Sequence, residues 1–241
     1  MHKIQDFKCV QSLNRLRDCI LSSCLEDLEC DSSISLSNLH YLFDSDHINA
    51  IRLKAFHKLN QLNWESLLSI GCLEDIFPLL GQDLLIQKKL NLSIQMPDDS
   101  TSVLPAHSDC SSGDSPFELV IWIPLTDAYS TNSMFLLDEA RSTIFYESIR
   151  HGGTSPLLSP APNDFLELKY GQYLIFPPSL IHGNVVNLTH TTRVSLNVRV
   201  KSVFSPYLPK PVPDRMYGAY YKEWHISKLF RWNMGVMKSF V

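Results

Sequence analysis

Two hydrophobic periods divide the chain. Over residues 7–28, Val10, Leu13, Leu16, Ile20, Cys24 and Leu28 recur at three- and four-residue spacing, the apolar stripe of an amphipathic helix. A second helix is predicted over 46–62, where Ile48, Ile51, Leu53, Ala55, Phe56 and Leu59 form the stripe and Asp46 serves as N-cap. A third is predicted over 64–80. The period then becomes that of strands. Segments 84–86 and 90–96 lead to Pro97, and 117–123 is apolar enough to be buried on both faces. Further strands are predicted at 133–137, 143–146, 173–176, 182–188 and 193–203. Turn chemistry at Pro97-Asp98-Asp99, His151-Gly152-Gly153, Pro160-Ala161-Pro162-Asn163 and Pro177-Pro178 separates them. Many short strands with frequent turns favour a sandwich or barrel over alternating βα units. The expected fold is mainly β with flanking helices: a double-stranded β-helix (a cupin-like jelly roll) preceded by an N-terminal helical segment.

A length of 241 residues suits one domain. Residues 1–82 are then a helical scaffold, 83–208 the jelly-roll core and 209–241 an aromatic C-terminal cover. The stiff Pro209-Lys210-Pro211-Val212-Pro213 connection leads into that cover, which is expected to pack as a short helix. Apolar residues make up 44% and charged residues 19%, which argues against disorder. A net charge of −4 supplies no basic field for nucleic acid. No secretory signal and no spanning stretch is evident, so a soluble, cytoplasmic protein without membrane partners is expected. Six cysteines without a Cys-x-x-Cys pair read as reduced packing residues.

His107-Ser108-Asp109 is the only His-x-Asp in the chain, and in an extended segment residues two apart project to the same side. A facial triad needs two imidazoles and one carboxylate on one side of an iron, leaving open positions opposite. His182, which follows a strand and the rigid Pro177-Pro178 turn, is the candidate for the second imidazole. Taken singly, neither the tripeptide nor a lone histidine carries weight. The strand that follows changes the balance. In Arg193-Val194-Ser195-Leu196-Asn197-Val198-Arg199-Val200 the polar residues alternate with apolar ones, so Arg193, Ser195, Asn197 and Arg199 share a face. If that face lines a barrel, Arg193 offers a planar fork to a dicarboxylate, and Ser195 adds a hydroxyl. The competing reading is a solvent-exposed polar face.

As a set, His107-Ser108-Asp109, His182 and Arg193-Val194-Ser195 resemble the signature of the 2-oxoglutarate and Fe(II)-dependent oxygenases. The segments Leu104-Pro105-Ala106-His107-Ser108-Asp109, Trp122-Ile123-Pro124-Leu125-Thr126-Asp127-Ala128-Tyr129, Thr131-Asn132-Ser133-Met134 and Phe176-Pro177-Pro178-Ser179-Leu180-Ile181-His182-Gly183 are similar to oxygenases of sporadic bacterial surface-carbohydrate clusters, within the wider phytanoyl-CoA dioxygenase group. The resemblance implies that His107, Asp109 and His182 hold Fe(II), and that Arg193 with Ser195 binds the far carboxylate of 2-oxoglutarate. It further implies that Gln95 and Asn132 face the pocket and assist that anion or the substrate. O2 and 2-oxoglutarate would be the co-substrates, succinate and carbon dioxide products, and a substrate C–H bond would be hydroxylated. An intact Asp109 speaks for oxygen transfer over halogenation.

The expected substrate is a small polar biosynthetic intermediate, a carbohydrate or nucleotide-sugar. The same chemistry on an acyl thioester or amino acid is one alternative. A cupin-like sugar-binding or isomerase protein without oxygenase activity is another. The oligomeric state is left open, a homodimer included. His151, His190 and His225 are read as surface residues.

Overall fold

The longest strand, β8 (Arg193–Ser202), organises the molecule, because its two faces are both buried and differ in chemistry. In the computed structural model the described residues are 2–26, 28, 34–150, 160–207 and 216–238. The elements preceding β8 are β1 (Lys3–Asp6), α1 (Val10–Leu25), α2 (Ser45–Leu59), α3 (Trp64–Leu80), β2 (Leu84–Gln87), β3 (Asn91–Gln95), β4 (Glu118–Pro124), β5 (Phe135–Leu136), α4 (Glu139–Arg150), β6 (Gln172–Phe176) and β7 (His182–Gly183). β9 (Tyr221–His225) and α5 (Lys228–Lys238) follow it. The main sheet runs β1-β6-β4-β8-β2-β9, all antiparallel, with β3 pairing the first half of β8 and β2 its second half. β5 and β7 form a second, two-stranded sheet.

Alternation sorts the side chains into layers. Val194, Leu196, Val198 and Val200 of β8, Ile121 and Ile123 of β4, and Tyr173 and Ile175 of β6 join one cluster with Leu13, Leu16 and Ile20 of α1, Ala55 and Leu59 of α2, and Leu68 and Ile76 of α3. The opposite residues Val120, Trp122, Leu174 and Phe176 pack instead with Met134, Leu136, Leu168 and Leu180. On the far side of the second sheet, Phe135, Leu137 and Ile181 pack on Phe145 of α4. Helices, main sheet, small sheet and α4 thus stack in that order. The polar residues of β8 point between the two sheets.

The architecture is mainly antiparallel β with flanking helices, as expected, and α3 spans the predicted residues. The strand predicted over 182–188 is confined to the two residues of β7, and four further details differ. α2 begins at Ser45, and its cap is Asp44, whose carboxylate accepts from Asp46 N and His47 N at 3.1 and 3.0 Å; the predicted cap, Asp46, lies inside the first turn, where a carboxylate is favourable too. Residues 143–146 belong to α4, since a four-residue apolar run cannot by its period distinguish strand from buried helix. β1 went unpredicted because it is an edge strand with no alternating burial. The aromatic tail contributes β9, paired with β2 and anchored by the fully buried Tyr221, before α5 begins. Cys9, Cys19, Cys24, Cys72 and Cys110 are free thiols. Cys30, the His151-Gly152-Gly153 turn and the Pro209–213 connection lie outside the described residues. Among the described residues no helix is long and apolar enough to cross a membrane.

Candidate metal centre and its cavity

His107 and His182 oppose each other as a reciprocal antiparallel pair: His107 N donates to His182 O and His182 N to His107 O, both at 2.9 Å. Residues directly opposite in such a pair carry their side chains on one face, and the ring centroids are 4.4 Å apart. On its other side His182 pairs with Leu136 of β5. Gly183 follows because nothing larger fits; a Cβ there would lie 2.7 Å from Leu104 O and 2.8 Å from Phe135 Cζ.

Both ring orientations are set by backbone carbonyls. His107 Nδ1 lies 2.8 Å from Pro105 O and His182 Nδ1 2.9 Å from Leu180 O. A carbonyl only accepts, so each Nδ1 carries the proton and each Nε2 keeps its lone pair. Those Nε2 atoms lie 3.8 and 3.9 Å from Asp109 Oδ1. Asp109 opens a short 3-10 turn capped by Ser108, and its N–H donates to Pro178 O at 3.0 Å, which ties the carboxylate to the turn that delivers His182. One ligand atom from each of His107, Asp109 and His182 lies within 4.8 Å of the others. Burial pushes the His182 imidazole down to about 4, against the opposing pull of Asp109, so the ring is neutral at ordinary pH. Two imidazoles and a carboxylate suit a divalent first-row metal such as Fe(II), with positions left for other ligands.

The triad opens into a cavity of about 620 Å³ whose wall includes Trp122, Phe176, Arg193, Ser195, Asn197 and Arg199. The polar face of β8 is therefore a cavity wall, and the solvent-exposed reading of that strand is excluded. Arg193 is buried; its Nη1 donates to Ser195 Oγ at 3.3 Å and its Nη2 to Ser93 Oγ at 3.4 Å, while its Nε finds no partner. The guanidinium stands 5.9 Å from the Trp122 ring. Burial lowers it to about 10, which leaves it charged. No carboxylate among the described residues pairs with it. A buried cation without a counter-ion is costly, and an anionic ligand would supply what is missing.

Arg199 differs. Its Nη2 lies 2.7 Å from Asp109 Oδ1, and its Nε lies 2.8 Å from Asp114 and 4.0 Å from Glu118. Glu118 in turn accepts from the Tyr221 hydroxyl. Burial pushes Glu118 up to about 7; the Tyr221 bond pulls it down and the Asp114 charge adds to the rise.

The structure gathers His107, Asp109, His182, Arg193 and Ser195 around one cavity. Gln95 and Asn132, expected to face it, are fully buried and not part of its lining. Gln95 lies opposite Arg193 in the register of β3 and β8, but its Nε2 donates to Val185 O at 2.5 Å. Asn132 closes a tight turn, accepting from Tyr129 N at 2.7 Å and donating to Thr191 Oγ1 at 3.1 Å. Sequence reading missed two parts of the wall: Ser45, Ile48, Asn49 and Arg52 of α2, and the loop from Asp99 to Leu104. The α2 residues recur at three- and four-residue spacing, a signal that a second, polar-bearing face existed on a helix read only as scaffold.

A layered sheet carrying an open His–Asp–His centre beside a buried, unpaired guanidinium defines a class, proteins built to hold a metal and an acid together. No protein-family model matches the chain. The streptomycin biosynthesis protein StrG of Streptomyces griseus is 29% identical over 111 residues, 45% of this chain and 43% of StrG; the match thus spans less than half of that relative. Among solved structures, the apo form of ThoJ, a non-heme monooxygenase, aligns over 92% of this chain and 79% of its own with a TM-score of 0.52 and 16% identity. The ThoJ–nickel complex aligns over 93% and 80%, with a TM-score of 0.50 and 17% identity. The chain shares the fold of ThoJ.

Proposed function

We propose that this chain is a 2-oxoglutarate and Fe(II)-dependent oxygenase, a single domain built on a double-stranded β-helix, which oxidises a small polar intermediate of carbohydrate type inside the cell. The observation that carries this reading is one cavity holding both a preformed His107–Asp109–His182 ligand set and an Arg193 guanidinium with no carboxylate partner. Bound Fe(II), with 2-oxoglutarate and O2, supplies the chemistry of oxidative decarboxylation to succinate and of C–H oxidation.

The chain's own contribution is geometry and charge. Pro105 O and Leu180 O hold the two Nε2 atoms toward the metal position. Arg199 fixes the Asp109 carboxylate and offsets its negative charge. Arg193 and Ser195 grip the remote carboxylate of the co-substrate, while the Trp122 ring beside Arg193 excludes water from that end. StrG, by its name a streptomycin biosynthesis protein, supports a sugar-related substrate. Hydroxylation is the expected outcome, since the aspartate ligand is present.

The test is anaerobic titration of the apo-protein with Fe(II) and 2-oxoglutarate. The weak visible charge-transfer band of the chelate should develop at one equivalent of each and be absent in Asp109→Ala. A wild-type chain that shows no band, and no thermal stabilisation by 2-oxoglutarate, would return the fold to a cupin-like binding protein.

A further inference from the structure

The cavity wall carries a third guanidinium, which the oxygenase reading leaves without a role. Arg199 is engaged by Asp109, Asp99 folds its own loop by accepting from Thr101 N and Oγ1 at 2.8 and 2.7 Å, and Arg193 is assigned to the co-substrate. Arg52, on the helical side of the cavity, is half-buried. Its Nε and Nη2 donate to Asn49 Oδ1 at 3.2 and 2.8 Å, and its Nη1 to Leu92 O at 3.3 Å. All three acceptors are neutral oxygens, and no carboxylate among the described residues pairs with the group.

Those bonds do two things. Asn49, one helical turn before Arg52, takes two N–H groups on one edge of the guanidinium, and the Leu92 carbonyl of β3 takes a third, so the plane is held without neutralising the charge. Of the five N–H donors of an arginine, two are left over, one on each terminal nitrogen. A fixed planar fork of that kind matches an oxyanion and loses little entropy in binding it. The cavity is also larger than a five-carbon dicarboxylate fills, so a second ligand has space between the triad and α2.

We propose that Arg52, held by Asn49, is the subsite for an oxyanion carried by the prime substrate, a phosphate or carboxylate on a polar ring. The inference rests on the oxygenase reading and deepens it: the substrate is an anionic sugar derivative, not a neutral one. It also gives the N-terminal helices a part in selectivity, since α2 brings this group to the cavity that the sheet builds.

Calorimetry on the full chain decides the matter, anaerobically with Fe(II) and 2-oxoglutarate and again without them, using glucose 1-phosphate, glucuronate and glucose as probes. One of the two anions should bind about tenfold or more tightly than glucose, as expected for charge-assisted hydrogen bonds, and which one does so distinguishes phosphate from carboxylate. Arg52→Gln should abolish the preference and Arg52→Lys, which keeps the charge but not the planar fork, retain only part of it, with melting temperatures unchanged. With Mn(II) in the triad, the phosphorus relaxation of bound glucose 1-phosphate should be enhanced, which places the anion in the metal's cavity. The proposal is overturned if no probe binds, if glucose binds as tightly as the anions, if Arg52→Gln binds them like wild type, or if a bound phosphate feels no metal held by the triad. A chain that takes up neither metal nor 2-oxoglutarate refutes the oxygenase reading instead, while the metal-free calorimetry still decides the Arg52 subsite.

Discussion

Arg193 and Arg199 sit six residues apart on one face of one strand, are both buried, and line the same cavity, yet they are electrostatic opposites. Arg193 touches only serine hydroxyls and an aromatic ring, and burial acts on it unopposed. For Arg199 burial would likewise lower the pKa, but neighbouring groups, the Asp109 and Asp114 carboxylates among them, outweigh it and hold the guanidinium above its usual range. Burial alone therefore does not tell a structural arginine from a binding one. The neighbouring carboxylates distinguish the two: one end of β8 has its counter-ions, and the other has none among the described residues.

The widest separation should come from Arg199→Leu. It leaves Asp109, Asp114 and Glu118 crowded without a cation, so urea denaturation should register a loss of about 3–5 kcal/mol, together with weakened metal binding. A stability within 1 kcal/mol of wild type, on the order of an exposed pair, would erase the contrast.

Next in size is the pH dependence of Glu118. Its folded value of about 7 against 4.5 in the unfolded chain means that the native state binds the proton more tightly. The resulting stabilisation is complete below about pH 4.5 and is lost as pH rises through 7, by roughly 3 kcal/mol at 1.36 kcal/mol per pH unit. Glu118→Gln, which stays neutral and can still accept from Tyr221, should show a flatter stability curve across that window. An unaltered curve would mean that burial does not hold Glu118 protonated.

The smallest expected change in stability belongs to Arg193→Met. Removing an unpaired buried charge should leave the unfolding free energy within about 1 kcal/mol or raise it, while 2-oxoglutarate affinity falls about 10- to 100-fold. Equilibrium denaturation and ligand titration on one preparation read both quantities. A stability loss as large as that of Arg199→Leu would show that both ends of β8 are structural.

How far the sequence revealed this arrangement depended on whether local periodicity coincided with burial. The alternation of residues 193–200 announced a two-faced strand because β8 is buried against helices on one side and lines the cavity on the other. β1, exposed and pairing only along an edge, carried no such signature. The His107-Ser108-Asp109 and His182 motifs named the ligand set, but nothing local indicated that the two histidines bond reciprocally across separate segments. Gln95 fell on the correct face of β3 and was still engaged elsewhere, because a carbonyl from Val185 reached its amide first. Arg52 stayed hidden for the opposite reason, being a polar residue on a helix whose cavity-facing side is defined only by what packs next to it.

The amino-acid order by itself determined the class of element in most segments, the identity of the three residues that could hold a metal, and the placement of Arg193, Ser195, Asn197 and Arg199 on a common face. These follow from backbone periods of two and 3.6 residues and from the chemistry of single side chains. Tertiary structure decided which arginine has counter-ions, which imidazole nitrogens are free and which helix walls the cavity. Such properties depend on atoms brought within a few ångströms from segments many residues apart, and over that distance burial and charge act through space, not along the chain.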